Sequence, residues 1–305
     1  MKSFPIKKKA KDTNQLIFYI TMMIIPIFMF IVLNIFTNIE YFMLSFREYN
    51  PISGTYSWVW LKNFERVIRD FFLEESILRT SFYKSLVLGA FRTFVGLPLA
   101  ILFSYYVARK KFLHKFFYIT LFIPTIISSM VMVFLYSYFV DSAIPALFEE
   151  LFNKTINPPL GNLNSQWGMI ILFNIVFSFG ANVIIFVGSI TGINNEIIES
   201  AKLDGVTPLK ELIYIVTPLI FPTITTFIVV RIASLFADTA VLYSFFGEVS
   251  THQTIGYYLY KNIMAGTATR SDYTYLSAIG ILFSAFIIPI TIIVKRLLER
   301  IGTED

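Results

Sequence analysis

Residues 195–208 read NEIIESAKLDGVTP and separate the fourth and fifth of six long apolar runs. Asn195 suits the N-cap of a short helix, and two glutamates follow it near the first turn, where the helix dipole favours negative charge. Gly205 then provides the left-handed residue that ends a helix, and Thr207 followed by Pro208 begins another one. The stretch therefore predicts a short helix, a tight turn and a second helix that enters the next apolar run.

Each of the six apolar runs is long enough to cross a bilayer as a helix, which takes about 20 mostly apolar residues. The chain has 305 residues, of which 56% are hydrophobic and 15% are charged, so its apolar surface exceeds what a soluble domain buries. The sequence predicts an all-α integral membrane protein of six transmembrane helices, in which residues 1–305 form a single transmembrane domain. The runs are Gln15–Thr37, Phe82–Val107, Phe116–Val140, Trp167–Ile190, Ile213–Ala237 and Tyr273–Leu297.

The basic residues lie at the ends of these runs, and the positive-inside rule then sets the orientation. They concentrate in the N-terminal tail, in the short loop at 109–115 and after the last run, so an even number of spans places both termini in the cytoplasm. This distribution accounts for the net charge of +5 without a nucleic-acid surface. The loop at about 191–212 is cytoplasmic by parity and yet acidic, which indicates a function other than orienting the chain.

This cytoplasmic loop resembles the EAA loop of the permeases of binding-protein-dependent ABC transporters. The family pattern is Glu-Ala-Ala, three residues, Gly, nine residues, Ile, one residue, Leu and Pro. Ser200 replaces an alanine and Thr217 replaces the leucine, and neither change disturbs a helix-turn-helix. The matching positions are Glu199, Ser200, Ala201, Asp204, Gly205, Ile215, Thr217 and Pro218.

Other segments resemble the carbohydrate-uptake branch of that family, in the same order along the chain. Residues 58–64 read WVWLKNF where the branch usually has Trp-Val-Gly-Leu-x-Asn-Phe, so Trp60 stands in place of a glycine. Shorter likenesses occur at 96–98, 122–125 and 273–280. These segments favour import of a sugar or oligosaccharide. The six runs and the loop alone also fit import of an amino acid, a phosphonate or glycerol phosphate.

The resemblance implies the type I ABC importer permease fold, in the cytoplasmic membrane of a prokaryote. It implies assembly with a second similar permease, two ATP-binding subunits and an external solute-binding protein, while this chain binds no ATP, Mg²⁺ or other metal. It also implies that the loop enters a cleft on an ATPase, where Glu199 pairs with a basic group and Ala201 and Gly205 allow close approach. The residues implied for this coupling contact are Glu199, Ser200, Ala201, Asp204, Gly205 and Pro218.

Polar and ionisable residues inside the apolar runs are candidates for contact with the substrate. Arg231 and Asp238 fall on one face of the fifth run if that run is a continuous helix, and a cation at Arg231 suits an acidic sugar such as a uronate. Two alternatives stay open: the polar side chains bond to neighbouring helices, and Arg92 pairs with an acid of the partner permease. The candidates for the substrate pathway are Asn174, Ser178, Asn182, Arg231, Asp238 and Tyr243.

Other classes of membrane protein fit the sequence less well. A secondary transporter predicts an internal repeat or coupled proton carriers, and an intramembrane enzyme predicts a converging nucleophile or metal cluster. The chain has no cysteine and two histidines, which lie far apart, and it has no Gly-x-x-x-x-Gly-Lys-Ser/Thr loop for ATP. No re-entrant filter sequence indicates a channel. These absences favour a transport subunit over an enzyme, and the resemblance implies that ATP hydrolysed in partner subunits drives it.

Overall fold

The computed structural model describes residues 13–239, 241–264, 266 and 268–302, with only the backbone given for 13–15, 178 and 179. The helices in this part of the chain are α1 Thr13–Phe30, α2 Thr37–Ser45, α3 Lys62–Phe72, α4 Ile77–Phe91, α5 Leu97–Ala108, α6 His114–Ile126, α7 Ser129–Tyr138, α8 Ile144–Phe152, α9 Leu163–Thr191, α10 Asn195–Leu203, α11 Pro208–Glu211, α12 Thr217–Leu219, α13 Phe221–Ala233, α14 Leu242–Phe246, α15 Ile255–Met264 and α16 Arg270–Ile301. Short π-helical stretches join several of them, at Ile31–Phe36, Arg92–Gly96, Phe139–Ala143 and Leu212–Val216. Strands β1 Arg47–Asn50 and β2 Thr55–Trp58 form one antiparallel hairpin.

Within the described residues, five helical stretches are long and apolar enough to cross a membrane, and a bent pair of helices makes a sixth. The number of spans predicted from the sequence is therefore confirmed, with the bent pair counted as one span. The five stretches are Leu16–Ser45, Ile77–Ala108, Ser129–Phe152, Leu163–Thr191 and Arg270–Ile301, and the bent pair is Pro208–Leu219 with Phe221–Ala233.

The predicted bounds of the third span, Phe116–Val140, were wrong. Helix α6 contains Pro124 and ends at Ile126, and the following residue has an extended backbone with ψ of 139°. A proline inside a helix removes one backbone hydrogen bond and crowds the preceding turn, so a helix often ends close after it. The chain resumes a helix at Ser129 and continues through α8, into the segment predicted to be an outer loop.

The fifth span, predicted over Ile213–Ala237, is bent. Its two halves meet at an angle of 71° beside Ile220. Pro218 and Pro222 lie on either side of the bend, at the beginning of α12 and of α13. The ring of Pro222 cannot be accommodated above the carbonyl of a continuous helix, which accounts for the break. The helix also ends early, at Ala233.

Contacts divide the chain into two units, and the first comprises residues 1–67 and 269–281. Within it, the side-chain amide of Asn63 donates to the carbonyl oxygens of Ser45 (2.9 Å) and Arg47 (2.8 Å), which joins the beginning of α3 to the hairpin. Between the hairpin and α3, Trp60 has a left-handed backbone with φ of +52°. This is the position where the resembling branch has glycine. The single domain over 1–305 stays a prediction.

The second unit comprises residues 68–268 and 282–305. Its largest apolar core joins α5, α9, α10 and the two halves of the fifth span. Side chains one or two turns apart on each helix point into this core, as expected for helices with one buried face. Its buried members are Leu97, Ala100, Tyr105, Val183, Phe186, Ile190, Ile198, Leu212, Val216, Ile220 and Ile224.

Candidate functional site: the acidic loop and a charged cluster

Helix α10 is the short helix that the sequence predicted in the acidic loop. Its N-cap is Asn194, whose side-chain oxygen accepts a hydrogen bond from the backbone N–H of Glu196 (3.1 Å). The predicted cap, Asn195, was wrong by one residue. Both asparagines are chemically able to cap, and the extended backbone of Asn194 (ψ 127°) gives it the cap geometry.

The turn after α10 has the predicted glycine geometry. Gly205 has φ of +75°, and its N–H donates to the carbonyl of Lys202 (3.1 Å). The N–H of Val206 reaches back to the carbonyl of Ala201 (3.1 Å). This pair of bonds is the Schellman arrangement that closes a helix. Thr207 is extended (ψ 154°), so the second helix starts at the proline as predicted, although the threonine side chain makes no capping bond.

Helix α10 has one face buried in the chain and one face exposed. Ile198 (3% exposed) and Ala201 (6% exposed) are buried, and Ile198 belongs to the large core. The small side chain of Ala201 therefore faces its own chain, and of the two small residues predicted to allow close approach only Gly205 is exposed. Leu203, which the sequence reasoning did not select, is 89% exposed at the end of the helix.

The exposed face carries most of the predicted coupling residues. Glu199, Ser200 and Asp204 are all exposed there. Pro218, the last position of the motif, is exposed but lies at the bend of the fifth span, not on α10. The face thus combines acidic groups, a hydroxyl and one large apolar side chain, which is suited to a basic partner with an apolar recess.

Four polar side chains that the sequence selected meet in the second unit. Arg92 begins the π-helical stretch after α4 and forms an ion pair with Asp238, beyond α13. The same guanidinium also donates to the side-chain oxygen of Asn174, on α9. Arg231, on α13, donates to the backbone carbonyl of Arg92. Arg92 therefore has an acid partner within its own chain, whereas one of the two open alternatives placed that acid on a partner permease.

Arg231 and Asp238 reach this cluster in a different way from that predicted. The helix that carries Arg231 ends at Ala233, so the two residues do not share one helical face. Instead, the turns after α13 carry Asp238 to Arg92, and Thr254 holds them by donating its hydroxyl to the carbonyl of Asp238 (3.2 Å). With two guanidinium groups and one carboxylate, the three charged side chains sum to one positive charge.

A cavity of about 30 Å³ lies against this charged cluster. Its volume admits water and excludes a sugar ring. The polar residues that line it are Ser85, Arg92, Arg231, Ser234, Asp238 and Thr254. Larger grooves flank α13 further along, each of about 430 Å³, with apolar walls and the hydroxyl of Thr226 common to both. One of the grooves also has Lys295 and Glu299 in its lining. The sequence reasoning missed both grooves, since their lining residues come from positions far apart in the chain or carry no charge.

The remaining pathway candidates lie apart from the charged cluster. Asn182 is half-buried two turns beyond Asn174 on α9, and it makes contacts of its own. Ser178 lies between them on the helix, with its side chain outside the described residues. Tyr243, on α14, packs edge to face against the ring of Tyr260, with ring centres 5.0 Å apart. The structure thus brings together three of the six candidates.

The sequence profile of the family described as "binding-protein-dependent transport system inner membrane component" matches residues 93–303. The chain belongs to this family. The match begins one residue after Arg92 and includes α10 and both halves of the fifth span, so the resemblance seen in the acidic loop is confirmed. The chain is accordingly a multi-pass membrane protein of a family of transport subunits.

Several characterised bacterial permeases are similar to this chain over most of their length. The polygalacturonan/rhamnogalacturonan transport system permease protein YteP of Bacillus subtilis is 25% identical over 301 residues, which covers 94% of this chain and 89% of that protein. The arabinooligosaccharides permease protein AraP of the same species is 23% identical (88% and 84% covered). The sn-glycerol-3-phosphate permease protein UgpA of Yersinia pestis is 22% identical (84% and 85% covered).

Solved structures show the same fold. A chain of a bacterial ABC transporter that imports the acidic polysaccharide alginate has a TM-score of 0.75 at 20% identity, with 95% of this chain and 98% of that chain covered. A second alginate transporter structure, in complex with a periplasmic protein that holds an alginate pentasaccharide, has a TM-score of 0.73 at 20% identity and similar coverage. The predicted fold of an ABC importer permease is therefore confirmed.

Proposed function

We propose that this chain is a permease subunit of an ABC importer that translocates a carbohydrate, and that an oligosaccharide is its substrate. The observation that carries this proposal is the similarity to permeases of polysaccharide fragments along nearly the whole chain, 94% for YteP. The carbohydrate-like segments of the sequence, at 58–64 and 273–280, support the same substrate class. The energy comes from ATP, bound with Mg²⁺ in partner subunits.

The proposed assembly contains a second, homologous permease, two ATP-binding subunits and an external solute-binding protein. The family is binding-protein-dependent by definition, which supports the last of these. The exposed face of α10 is the proposed contact with one ATPase: Glu199 and Asp204 meet basic groups, and Leu203 enters an apolar recess. Gly205 permits the tight turn that leaves this face unobstructed.

The charged cluster supports an acidic sugar as substrate. Arg92, Arg231 and Asp238 leave one net positive charge in a membrane-spanning region, where an ionic group is costly unless it has a partner or a function. The cavity beside them is too small for a sugar. We therefore propose that the cluster opens toward the substrate pathway when the two permeases switch access from one side of the membrane to the other. Asn182, Ser178 and Tyr243 would extend that pathway along α9 and toward α14.

Glycerol phosphate is a second candidate, favoured by the similarity to UgpA. A phosphate ester is an anion, as a uronate is, so the net charge of the cluster fits both substrates. A uronate oligosaccharide differs from glycerol phosphate in presenting flat, apolar sugar faces to aromatic side chains.

Substrate-stimulated ATPase activity of the reconstituted complex tests the proposal. The complex of both permeases, the ATPase subunits and the binding protein is offered neutral oligosaccharides, acidic oligosaccharides and glycerol 3-phosphate in turn. We expect stimulation by one class of oligosaccharide. Stimulation by glycerol 3-phosphate alone selects the second candidate and contradicts the first.

The same assay tests the coupling face. In the variant Glu199→Ala/Gly205→Pro, the charge is lost and the left-handed turn is blocked, because proline cannot adopt φ of +75°. We expect stimulation to disappear while the substrate still binds the external protein. The matched control is Lys154→Ala, an exposed residue of the predicted outer loop, which should retain full stimulation. Full stimulation of an assembled double variant would refute the coupling role.

A further inference from the structure

A buried ion pair joins the loop region to the second span. The Nη2 atom of Arg109 lies 2.6 Å from the Oε1 atom of Glu211, and the two side chains are only 15% and 5% exposed. Both residues come from segments that look water-exposed in the sequence: a basic loop after the second run and an acidic loop before the fifth. Their burial shows that these two charged side chains pair with each other inside the chain and do not face water.

The position of each partner is fixed by its own backbone. Arg109 caps the end of α5, where its N–H donates to the carbonyl of Tyr105 (3.0 Å) and its guanidinium lies 5.4 Å from the ring centre of that tyrosine. Glu211 ends α11, and its N–H donates to the carbonyl of Thr207 (2.9 Å), in the turn that follows α10. The ion pair therefore connects the end of the second span to the turn that carries α10.

The pair continues the apolar core that lies beneath it. Tyr105 of α5, Ile198 of α10 and Leu212, which follows Glu211, all belong to that core. An apolar contact is non-directional and allows sliding, whereas separating a buried ion pair leaves two charges without a partner in the interior, which is costly. Core and ion pair together restrain α10, the beginning of the fifth span and α5 to one arrangement.

Helix α5 leads directly to the charged cluster. The candidate span Ile77–Ala108 runs without a break in its helical backbone from α4 through the π-helical stretch that begins at Arg92. Arg92 holds Asp238 and Asn174, so any displacement of the second span along its axis changes the geometry of that cluster. The contacts thus form a physical connection from α10 to the membrane interior.

We propose that the Arg109–Glu211 ion pair makes α10 and the second span move as one body, so that motion imposed on α10 reaches the charged cluster around Arg92. This inference rests on the proposed function, in which an ATPase moves α10. Arg109 and Glu211 are positioning residues in this scheme. Neither touches the substrate or the nucleotide.

Spin-label distances test this proposal without any assumption about the substrate. The chain has no cysteine, so Lys110→Cys on the α5 side and Lys202→Cys on α10 provide two unique labelling sites in a complex with cysteine-free partners. We expect the distance distribution between them to be the same in the nucleotide-free and ATP-trapped states. In Glu211→Gln the two states should give different distributions. The matched control, Lys210→Gln, removes an exposed neighbouring charge and should behave as the parent.

The ratio of substrate transported to ATP hydrolysed gives the functional consequence, for whichever substrate the parent complex transports. We expect Glu211→Gln to retain ATPase activity while this ratio falls at least about fivefold, the low end of coupling between two sites. The exchanged variant Arg109→Glu/Glu211→Arg should recover part of it. A merely structural role would lower the yield of complex and leave the ratio of the assembled fraction unchanged.

An apolar variant keeps the test decisive if single variants fail to assemble. Removing one partner leaves a buried charge unpaired, whereas replacing both by apolar groups of similar volume is often tolerated. Arg109→Met/Glu211→Leu should therefore assemble and show the low ratio. The proposal is overturned if this double variant, or an assembled single variant, keeps both the parental ratio and an unchanged label distance. Failure to stimulate with any sugar would refute the proposed substrate class and leave the distance test valid.

Discussion

Trp60 combines two properties that rarely coincide: a left-handed backbone, with φ of +52°, and a large side chain that is 73% exposed. The left-handed region costs a residue with a Cβ atom about 1–2 kcal/mol, whereas glycine adopts it freely. The resembling branch has glycine here, so this chain retains a strained residue whose indole buries little. Its ring centre lies 6.2 Å from that of Trp58, which is also exposed. The two indoles therefore form an exposed pair beside the end of the first span.

Replacement of Trp60 by glycine or by alanine separates the effect of the strained backbone from the effect of the indole side chain. Both variants lose the indole, and only Trp60→Gly relieves the left-handed strain. We expect Trp60→Gly to be more stable than Trp60→Ala by about 1 kcal/mol. Thermal unfolding of the purified complex in detergent measures this difference. Equal stability of the two variants would show that the strain is absorbed by the neighbouring hairpin.

His252 is a second residue whose surroundings make a measurable prediction. Its Nδ1 accepts from the Lys84 ammonium (2.6 Å), and its Nε2 faces the carbonyl of Leu163 (3.2 Å), which together fix a neutral imidazole. Burial, followed by the positive charge of Lys84, lowers the pKa of His252 from its ordinary value of 6.5. Protonation therefore removes the bond from the lysine and places two cations in contact.

The sign of the pH effect follows from which state binds more protons. Because the folded-state pKa is depressed, the unfolded chain takes up the proton of His252 first as the pH falls. The free energy of unfolding is then constant above about pH 7 and declines as the pH falls through about 6.5. Thermal stability between about pH 5.5 and 7.5, above the carboxylate range, measures it. In His252→Gln this slope should vanish, and a persisting slope would assign it to another group.

At the scale of elements, the segment that carries Asp238 is held by the close approach of α15. A Cβ atom added to Gly256 would lie 2.6 Å from the carbonyl oxygen of Asp238 and 2.7 Å from the carbonyl group of Ala237. Both contacts are with backbone atoms of one segment, so no flexible side chain can move away to make room. The absence of a side chain at Gly256 is therefore what allows Asp238 to reach Arg92.

Gly256→Ala should displace the Asp238 segment and weaken its ion pair with Arg92. We expect a loss of about 1–3 kcal/mol in stability, the usual cost of overpacking, together with reduced transport. The matched control is Gly168→Ala on α9, where an added Cβ meets nothing within 4 Å and a gain of up to about 1 kcal/mol is expected from helix propensity. Equal thermal stability of the two variants would contradict the close-approach argument.

Some features of the helices can be predicted from the sequence, and others cannot. The six spans follow from the length of apolar runs, and the end of α10 follows from Gly205, because both signals are local. Pro124, Pro218 and Pro222 are local signals for a break, whereas the extended residue at Ile127 and the angle of 71° depend on packing, which no local pattern specifies. The bond between Arg92 and Asp238 joins residues 146 positions apart, so only the tertiary fold reveals it.

At the scale of the whole molecule, the first span exposes an apolar surface that the described part of the chain does not cover. None of the apolar window within Leu16–Ser45 is buried inside the chain. A helix that is apolar on all sides and has no covering surface of its own must be covered by lipid or by another subunit. This fits the proposed second permease, whose contact would remove one side of the helix from lipid.

The orientation of the molecule is the prediction on which the roles of the two sites depend. The distribution of basic residues places α10 in the cytoplasm and the segment before α9 outside. Reporter fusions after Leu160 and after Lys202 should therefore be active on opposite sides of the membrane. A fusion after Lys202 that is active outside would remove the ATPase contact from α10, and activity of both fusions on the same side would refute the predicted topology.

Arg231 relates the net positive charge of the cluster to the kind of substrate that is transported. Its guanidinium bonds to the carbonyl of Arg92, so it supports the Arg92–Asp238 pair and also supplies the excess positive charge of the cluster. If that charge attracts an acidic sugar, Arg231→Gln removes the attraction while glutamine still donates to the carbonyl. We expect uptake of acidic oligosaccharides to fall about tenfold, as for the loss of about 1.4 kcal/mol, and uptake of neutral sugars not to rise.

Arg231→Lys is the matched control for this prediction, since it keeps the charge and changes the shape. Uptake of an acidic sugar should be largely retained in Arg231→Lys and lost in Arg231→Gln, and raised salt should reduce the difference between them. Equal loss in both variants would mean that the planar guanidinium holds the cluster together and that its charge does not select the substrate. Intact uptake of an acidic sugar by both would exclude Arg231 from the pathway and leave the grooves beside α13 as the route.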